Sequence, residues 1–189
     1  MVRRIVDQTL DAGAANPAAS SATATAASPN EGRTVVAIAG DHGGWRMKDA
    51  IGAWLTDNGY AVRDCGTHSD DAVDYPDLAQ AVARLVADGS AKWGICVDGA
   101  GIGSAMAANK VPGVRAANCH DISSARNSRE HNYANVLTLG SGFLGKALAL
   151  QIVGTWLDTD WGAERHGRRV EKISAIERSY TGAPGGKDR

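Results

Sequence analysis

The sequence predicts an α/β protein: a doubly wound, five-stranded parallel sheet of order 2-1-3-4-5, Rossmann-like, with helices on both faces. Three observations predict it. Short apolar runs alternate with stretches of helical apolar spacing from Thr34 to Tyr180. The links between them are short, and parallel strands need a helical crossover between each pair. Glycine-rich turns follow the first and third apolar runs, at Gly40 to Gly44 and Gly99 to Gly103. In a doubly wound sheet the ligand crevice opens between those two turns, where the winding reverses.

Each element has its own signal. Thr34 to Ala39 is an apolar strand, and Trp45 to Asn58 sets Met47, Ile51, Trp54 and Leu55 on one helical face. Gly59 ends that helix. Tyr60 to Asp64 is the second strand, Cys65 to Tyr75 a loop, and Pro76 to Ala87 a helix with proline in its first turn, where a missing N–H costs nothing. Ile95, Cys96 and Val97 form the central strand. After Pro112-Gly113, Val114 to Cys119 is the fourth strand, and Asp121 caps a helix reaching about His131. Ala134 to Leu139 is the fifth strand, with helices at Leu144 to Leu157 and Arg168 to Tyr180 before a polar tail, residues 181–189.

The stretch Lys92 to Lys110 is the centre of the chain: buried strand, glycine turn, then a small-residue helix from Ser104 to Asn109. Glycines let the backbone approach a ligand closely, and turn amides backed by a helix start can cradle anionic oxygen. Asp98 stands at the entrance. As a bare pattern this is equally an ordinary strand-to-helix turn with a capping aspartate.

The 189 residues suit one domain with a real core, 34–180, plus some excess. Lys+Arg 20 against Asp+Glu 21 leaves a net charge of -1, which argues against nucleic acid as a partner. Cys65, Cys96 and Cys119 are widely spaced and form no metal-finger pattern, as in a reduced cytoplasmic protein, and no apolar run reaches the roughly 18 residues of a membrane span. Met1 to Leu10 places Val2, Ile5, Val6, Thr9 and Leu10 on one helical face, followed by an Ala, Ser, Thr, Asn, Pro and Gly linker, 11–33. A short amphipathic helix on a tether is a docking device. It resembles the encapsulation peptides that carry enzymes into bacterial microcompartments by binding shell or core proteins; a transit peptide or a plain disordered extension are the other readings.

Around the two turns the sequence places Asp41-His42, Asp74-Tyr75, His131-Asn132 and the run Glu164 to Arg169. Histidine shuttles protons near neutral pH, and arginine forks bind phosphate. With GDHGG, DYPDLAQAVA, GAGIGSAMAANKVPGVRAA, SARNSREHNYANVLTLG and ERHGRRVEKI, the chain closely resembles the ribose-5-phosphate isomerase B and galactose-6-phosphate isomerase family from about Val35 to Tyr180. The resemblance implies an aldose-ketose isomerase of phosphorylated sugars, working through an enediolate without metal or cofactor, as a homodimer or homotetramer with sites near the subunit interface. It assigns sugar and phosphate contacts to Asp41 and His42, and the pocket wall to Tyr75. Ring opening or the hold on the sugar oxygen falls to His131 with Asn132 beside it, the enediolate oxygens to the turn of Gly99, Ala100, Gly101 and Gly103, and phosphate to Arg165 and Arg169.

The departure is at the centre. Many family members have cysteine as base where this chain has Asp98, and threonine at Ala100; another branch has glutamate at Ser104. Asp98 is the expected base here, ionised at neutral pH without activation, and the change could mark a shifted substrate. Cys96, relocated along the strand, is the lesser candidate, since buried thiols are inert. A weakly catalytic sugar-phosphate binder or scaffold is the second reading. A nucleotide-binding Rossmann protein is the third, without a GxGxxG after strand one.

Overall fold

A computed structural model of the chain describes residues 32–182. The helix expected at Met1 to Leu10, nearly all of the linker and most of the tail lie outside the described residues. The elements are β1 (Val35–Gly40), α1 (Trp45–Asp57), β2 (Ala61–Asp64), α2 (Tyr75–Ala87), β3 (Trp93–Asp98), α3 (Ile102–Ala108), β4 (Ala116–Asn118), α4 (Ile122–Asn132), β5 (Val136–Gly140), α5 (Lys146–Asp158) and α6 (Glu164–Thr181). All strand pairs are parallel.

The strand order is 2-1-3-5-4, which corrects the expected 2-1-3-4-5. β5 takes the inner place because its sequence VLTLG is buried at all five positions and can pair on both edges. β4 is three residues, AAN, all half-buried, and serves as the edge. α6 begins at Glu164, four residues before the expected Arg168, so Arg165 and Arg169 share one helix.

Helices cover both faces, and right-handed crossovers decide which. The steps β1 to β2 and β4 to β5 run one way across the sheet; β2 to β3 and β3 to β4 run the other. α1 and α4 therefore share a face, with α5: Ile51, Leu55, Ala125, Ile152, Val153 and Trp156 pack on Val36, Ile38, Ile95, Val97, Leu137 and Leu139. α2 and α3 cover the opposite face, where Ala79, Val82, Ala83 and Ala108 meet Ala37, Ala39, Cys96 and Val136. The contact is close: a Cβ on Gly94 would lie 2.6 Å from Val82. The winding still reverses between β1 and β3, so the corrected order leaves the crevice where the turns predicted it.

Among the described residues no helix is long and apolar enough to cross a membrane. Asp49, Asp64 and His68 gather potential ligand atoms, but the Lys48 ammonium sits among them, 2.6 Å from Asp64 Oδ2, 2.9 Å from Asp49 Oδ1 and 3.3 Å from His68 Nδ1. A positive charge already fills that place.

Candidate active site

Three turns meet at the carboxyl ends of the central strands. After β1, Asp41 Oδ1 accepts from the amides of Gly43 and Gly44, both at 2.9 Å, and its own amide donates to Val97 O at 3.1 Å. Gly44 must be glycine, since a Cβ there would lie 2.1 Å from Val97 O. After β5, Ser141 stitches all three turns. Its amide donates to Asp98 O at 2.8 Å, and its hydroxyl to Gly43 O at 2.8 Å. The Gly142 amide donates to Gly99 O at 3.0 Å.

The β3 turn is fixed from beneath. Gly101 has φ 77°, the left-handed region that glycine occupies without strain, and its carbonyl accepts from Thr138 Oγ1 at 2.7 Å. Asn118 Nδ2 donates to Ala100 O at 3.3 Å. Asp98, 5 % exposed, accepts four hydrogen bonds: at Oδ1 from the amides of Ala100 (2.8 Å) and Gly101, and at Oδ2 from the Ser104 amide (3.0 Å) and the Ser104 hydroxyl. The amides of Ala100 and Gly101 are thus engaged by Asp98. Those of Gly99 and Gly103 make no hydrogen bond among the described residues.

The loop between β2 and α2 closes one side. Asp70 accepts from Trp45 Nε1 at 2.9 Å and from both terminal nitrogens of Arg46 at 2.7 Å, and these donors hold its carboxyl below the usual carboxylate range. The Val73 amide donates to His42 Nδ1 at 3.4 Å. Tyr75 lies against Gly103, where a Cβ would come within 2.5 Å of its ring. The structure therefore brings together Asp41, His42, Tyr75, Asp98, Gly99, Ala100, Gly101 and Gly103.

His131, Asn132, Arg165 and Arg169 are elsewhere in this chain. α4 runs back from the carboxyl end of β4 to the start of β5, so His131 and Asn132 sit at the amino ends of the strands. The distance is about the length of six-residue β3, ~20 Å. There His131 stacks on His166 with ring centroids 4.2 Å apart, and the two line a cavity of about 700 Å³ with Arg126, Asp158, Trp161 and Arg165. Arg169 follows Arg165 by one helical turn, and both are exposed. Desolvation, then the neighbouring His131, Arg165 and Arg169, hold the His166 imidazole below the ordinary histidine range, against Glu130.

Cys96 is buried on the α2 face, and burial, then Asp98 and Cys65, push its thiol far above the ordinary range. Such a thiol stays protonated and inert. Ser104, Ser141, Thr138 and Asn118 were missed as site residues. Their signal was a small polar side chain at the end of an apolar strand or the start of a tight helix, where a backbone turn needs a side-chain partner.

A profile described as ribose/galactose isomerase matches residues 36–173. Ribose-5-phosphate isomerase B of Escherichia coli K12 is 44 % identical over 142 residues, covering 75 % of this chain and 95 % of that one. D-erythrulose-4-phosphate isomerase of Pectobacterium atrosepticum is 38 % identical over 146 residues, covering 75 % and 94 %. Among solved structures, ribose-5-phosphate isomerase B of Clostridium thermocellum superposes with a TM-score of 0.77 at 47 % identity, over 78 % of this chain and all of that one.

Proposed function

The chain belongs to the ribose/galactose isomerase family and is a sugar phosphate isomerase; from that premise we propose that it interconverts ribose 5-phosphate and ribulose 5-phosphate with Asp98 as the base. The observation that carries this reading is the meeting of the Asp41 and Asp98 turns at the β1/β3 switch point, with the amides of Gly99 and Gly103 unengaged among the described residues. In this reading those amides receive the enediolate oxygens, where pre-set donors act most strongly. The proton leaves C2 of the open-chain aldose, its C–H pair becomes the C1=C2 bond as the C1=O π pair moves onto O1, the O2 hydroxyl proton passes to O1, and C1 receives the proton back as C2=O forms. His42 Nε2 and Asp41 hold the sugar, and Tyr75 forms the wall.

One chain does not complete this site. His131 for ring opening, Asn132, and Arg165 and Arg169 for phosphate come from a second copy of the chain. A homodimer whose two-fold axis carries the amino end of one sheet to the carboxyl end of the other supplies both halves twice. Support for this is the separation of the two groups within one protomer by the length of β3.

The test is turnover of four-, five- and six-carbon aldose and ketose phosphates by the native protein and by Asp98→Asn, with exchange of the C1/C2 proton. D-erythrulose 4-phosphate is in the panel because a relative of this chain bears that activity in its name. Loss of turnover with binding retained in the Asn variant supports Asp98. A second reading, a weakly catalytic sugar-phosphate binder, is favoured by the four hydrogen bonds already on the Asp98 carboxylate. Binding without turnover by the native protein decides for it.

Met1 to Leu10 acts as a docking peptide that packages the enzyme through microcompartment shell or core proteins, a reading supported by its amphipathic spacing alone. Residues 1–32 fused to a fluorescent protein then gather in the shell; diffuse fluorescence in shell-producing cells counts against it.

A further inference from the structure

A carboxylate has about four in-plane lone-pair positions, two on each oxygen. In Asp98 all four are filled, three of them by the amides of Ala100, Gly101 and Ser104. Those donors belong to a turn that is itself tied to Thr138 and Ser141, so none can leave without undoing the turn. The fourth is the Ser104 hydroxyl on Oδ2, and it alone rotates about a single bond. A proton bound for Asp98 therefore meets Ser104 first.

The amides have a second limitation. An N–H only donates, so once Asp98 has gained a proton none of the three can accept it in a hydrogen bond. A hydroxyl both donates and accepts. Among the described residues, Ser104 Oγ is the one atom hydrogen-bonded to Asp98 that can serve the carboxylate and the carboxylic acid in turn. Ser104, 2 % exposed, also lines a void too narrow for a water molecule, beside two of the proposed sugar contacts, Asp41 and Tyr75.

We propose that Ser104 is a catalytic residue, a proton relay between the substrate carbon and Asp98. In one step Oγ accepts the proton leaving C2, the C–H pair becomes the C1=C2 bond as the C1=O π pair moves onto O1, and the former hydroxyl proton of Ser104 moves to Asp98 Oδ2. The charge lost by Asp98 appears on the enediolate, and Ser104 ends with the proton it took from carbon, its oxygen now accepting from Oδ2–H. The O2 hydroxyl proton passes to O1, and the reverse transfer then puts a proton on C1 as C2=O forms, which restores both residues. This rests on the reading of Asp98 as base and adds the path by which the proton reaches it.

The full-length chain is assayed with ribose 5-phosphate and D-erythrulose 4-phosphate. Ser104→Ala keeps the backbone amide and all three amide bonds to Asp98, so it folds with a modestly lowered melting temperature and KM within about twofold, while kcat falls about 100-fold or more. In the native enzyme a C2-deuterated substrate slows turnover, and deuterium oxide slows it again in the same step, because the hydroxyl proton moves with the carbon proton. A merely structural serine gives no such second effect. Ser104→Ala turning over within tenfold of native overturns the relay, as does a carbon isotope effect with no further slowing in deuterium oxide. Asp98→Asn with native turnover is a separate outcome: it removes the base reading itself and the relay with it.

Discussion

The guanidinium carbon of Arg129 lies 3.9 Å from the ring centroid of Trp93 and 4.7 Å from that of Trp156. Arg129 is 2 % exposed, and it donates from Nε to Trp156 O and Thr159 O, each at 3.1 Å, and from Nη1 to Ala134 O at 2.6 Å. It joins the end of α4, the start of β5 and the loop into α6, so it holds the platform on which His131 and Arg165 stand. Desolvation, opposed by Asp160 and assisted by Arg115, pushes its pKa down to about 10. Arg129→Ala leaves two buried carbonyls and one half-buried carbonyl short of a donor and costs about 3–5 kcal/mol. Urea unfolding measures it; a loss below about 1 kcal/mol would show that the aromatic cage stands without its cation.

A site shared between two copies predicts complementation. Asp98→Asn and His131→Gln are each inactive alone. Mixed, unfolded and refolded together in equal amounts, they give heterodimers in which one of the two sites is intact, so about a quarter of native activity returns. No recovery from two folded variants shows that each protomer carries its own complete site.

Two glycines of the turns differ in what opposes a side chain. Gly44→Ala drives a Cβ against the Val97 carbonyl, a backbone atom that cannot move without shifting β3, and costs about 3 kcal/mol or more. Gly103→Ala meets only the Tyr75 ring, which is 40 % exposed and can swing aside. It costs about 1 kcal/mol and raises KM instead. Thermal melts and kinetics on the pair separate the two, and equal destabilisation would mean that Tyr75 is as fixed as backbone.

The depressed His166 sets a pH dependence. Its folded pKa lies below the unfolded value of about 6.5, so between the two the unfolded chain binds more protons than the folded one. Stability from this group is complete above about 6.5 and is lost as pH falls through the folded value. The facing groups are His131, Arg165, Arg169 and Glu130. Melting temperatures from pH 8 to 5 therefore fall more steeply for the native protein than for His166→Gln; parallel curves would place the acid sensitivity elsewhere.

The sequence carried the element types because strand and helix periods are local: WGICVD reads as a buried strand without knowledge of its neighbours, and all six residues are buried. It did not carry the order of β4 and β5. That choice depends on which strand tolerates two partners, and the difference between AAN and VLTLG becomes decisive only when they compete for one edge. The capping box of Asp121 and Ser124 followed the expected Asp121 cap, again a local matter. The site was half legible. Glycine turns announce themselves, whereas the hold of Ser141 on Gly43, 98 residues away in the chain, leaves no mark in spacing.

The short outer strands limit how copies of this protein can meet. A sheet grows by strand addition when a long, bare edge offers a row of unpaired amides and carbonyls. Here one border is the three-residue β4, and the other is the four-residue β2, ending in exposed Arg63 and Asp64. Neither is much of a template for aggregation. In the homodimer proposed above, the two copies would meet through helices and turns, the elements that carry the proposed chemistry, so the demands of assembly and of catalysis would fall on the same surface.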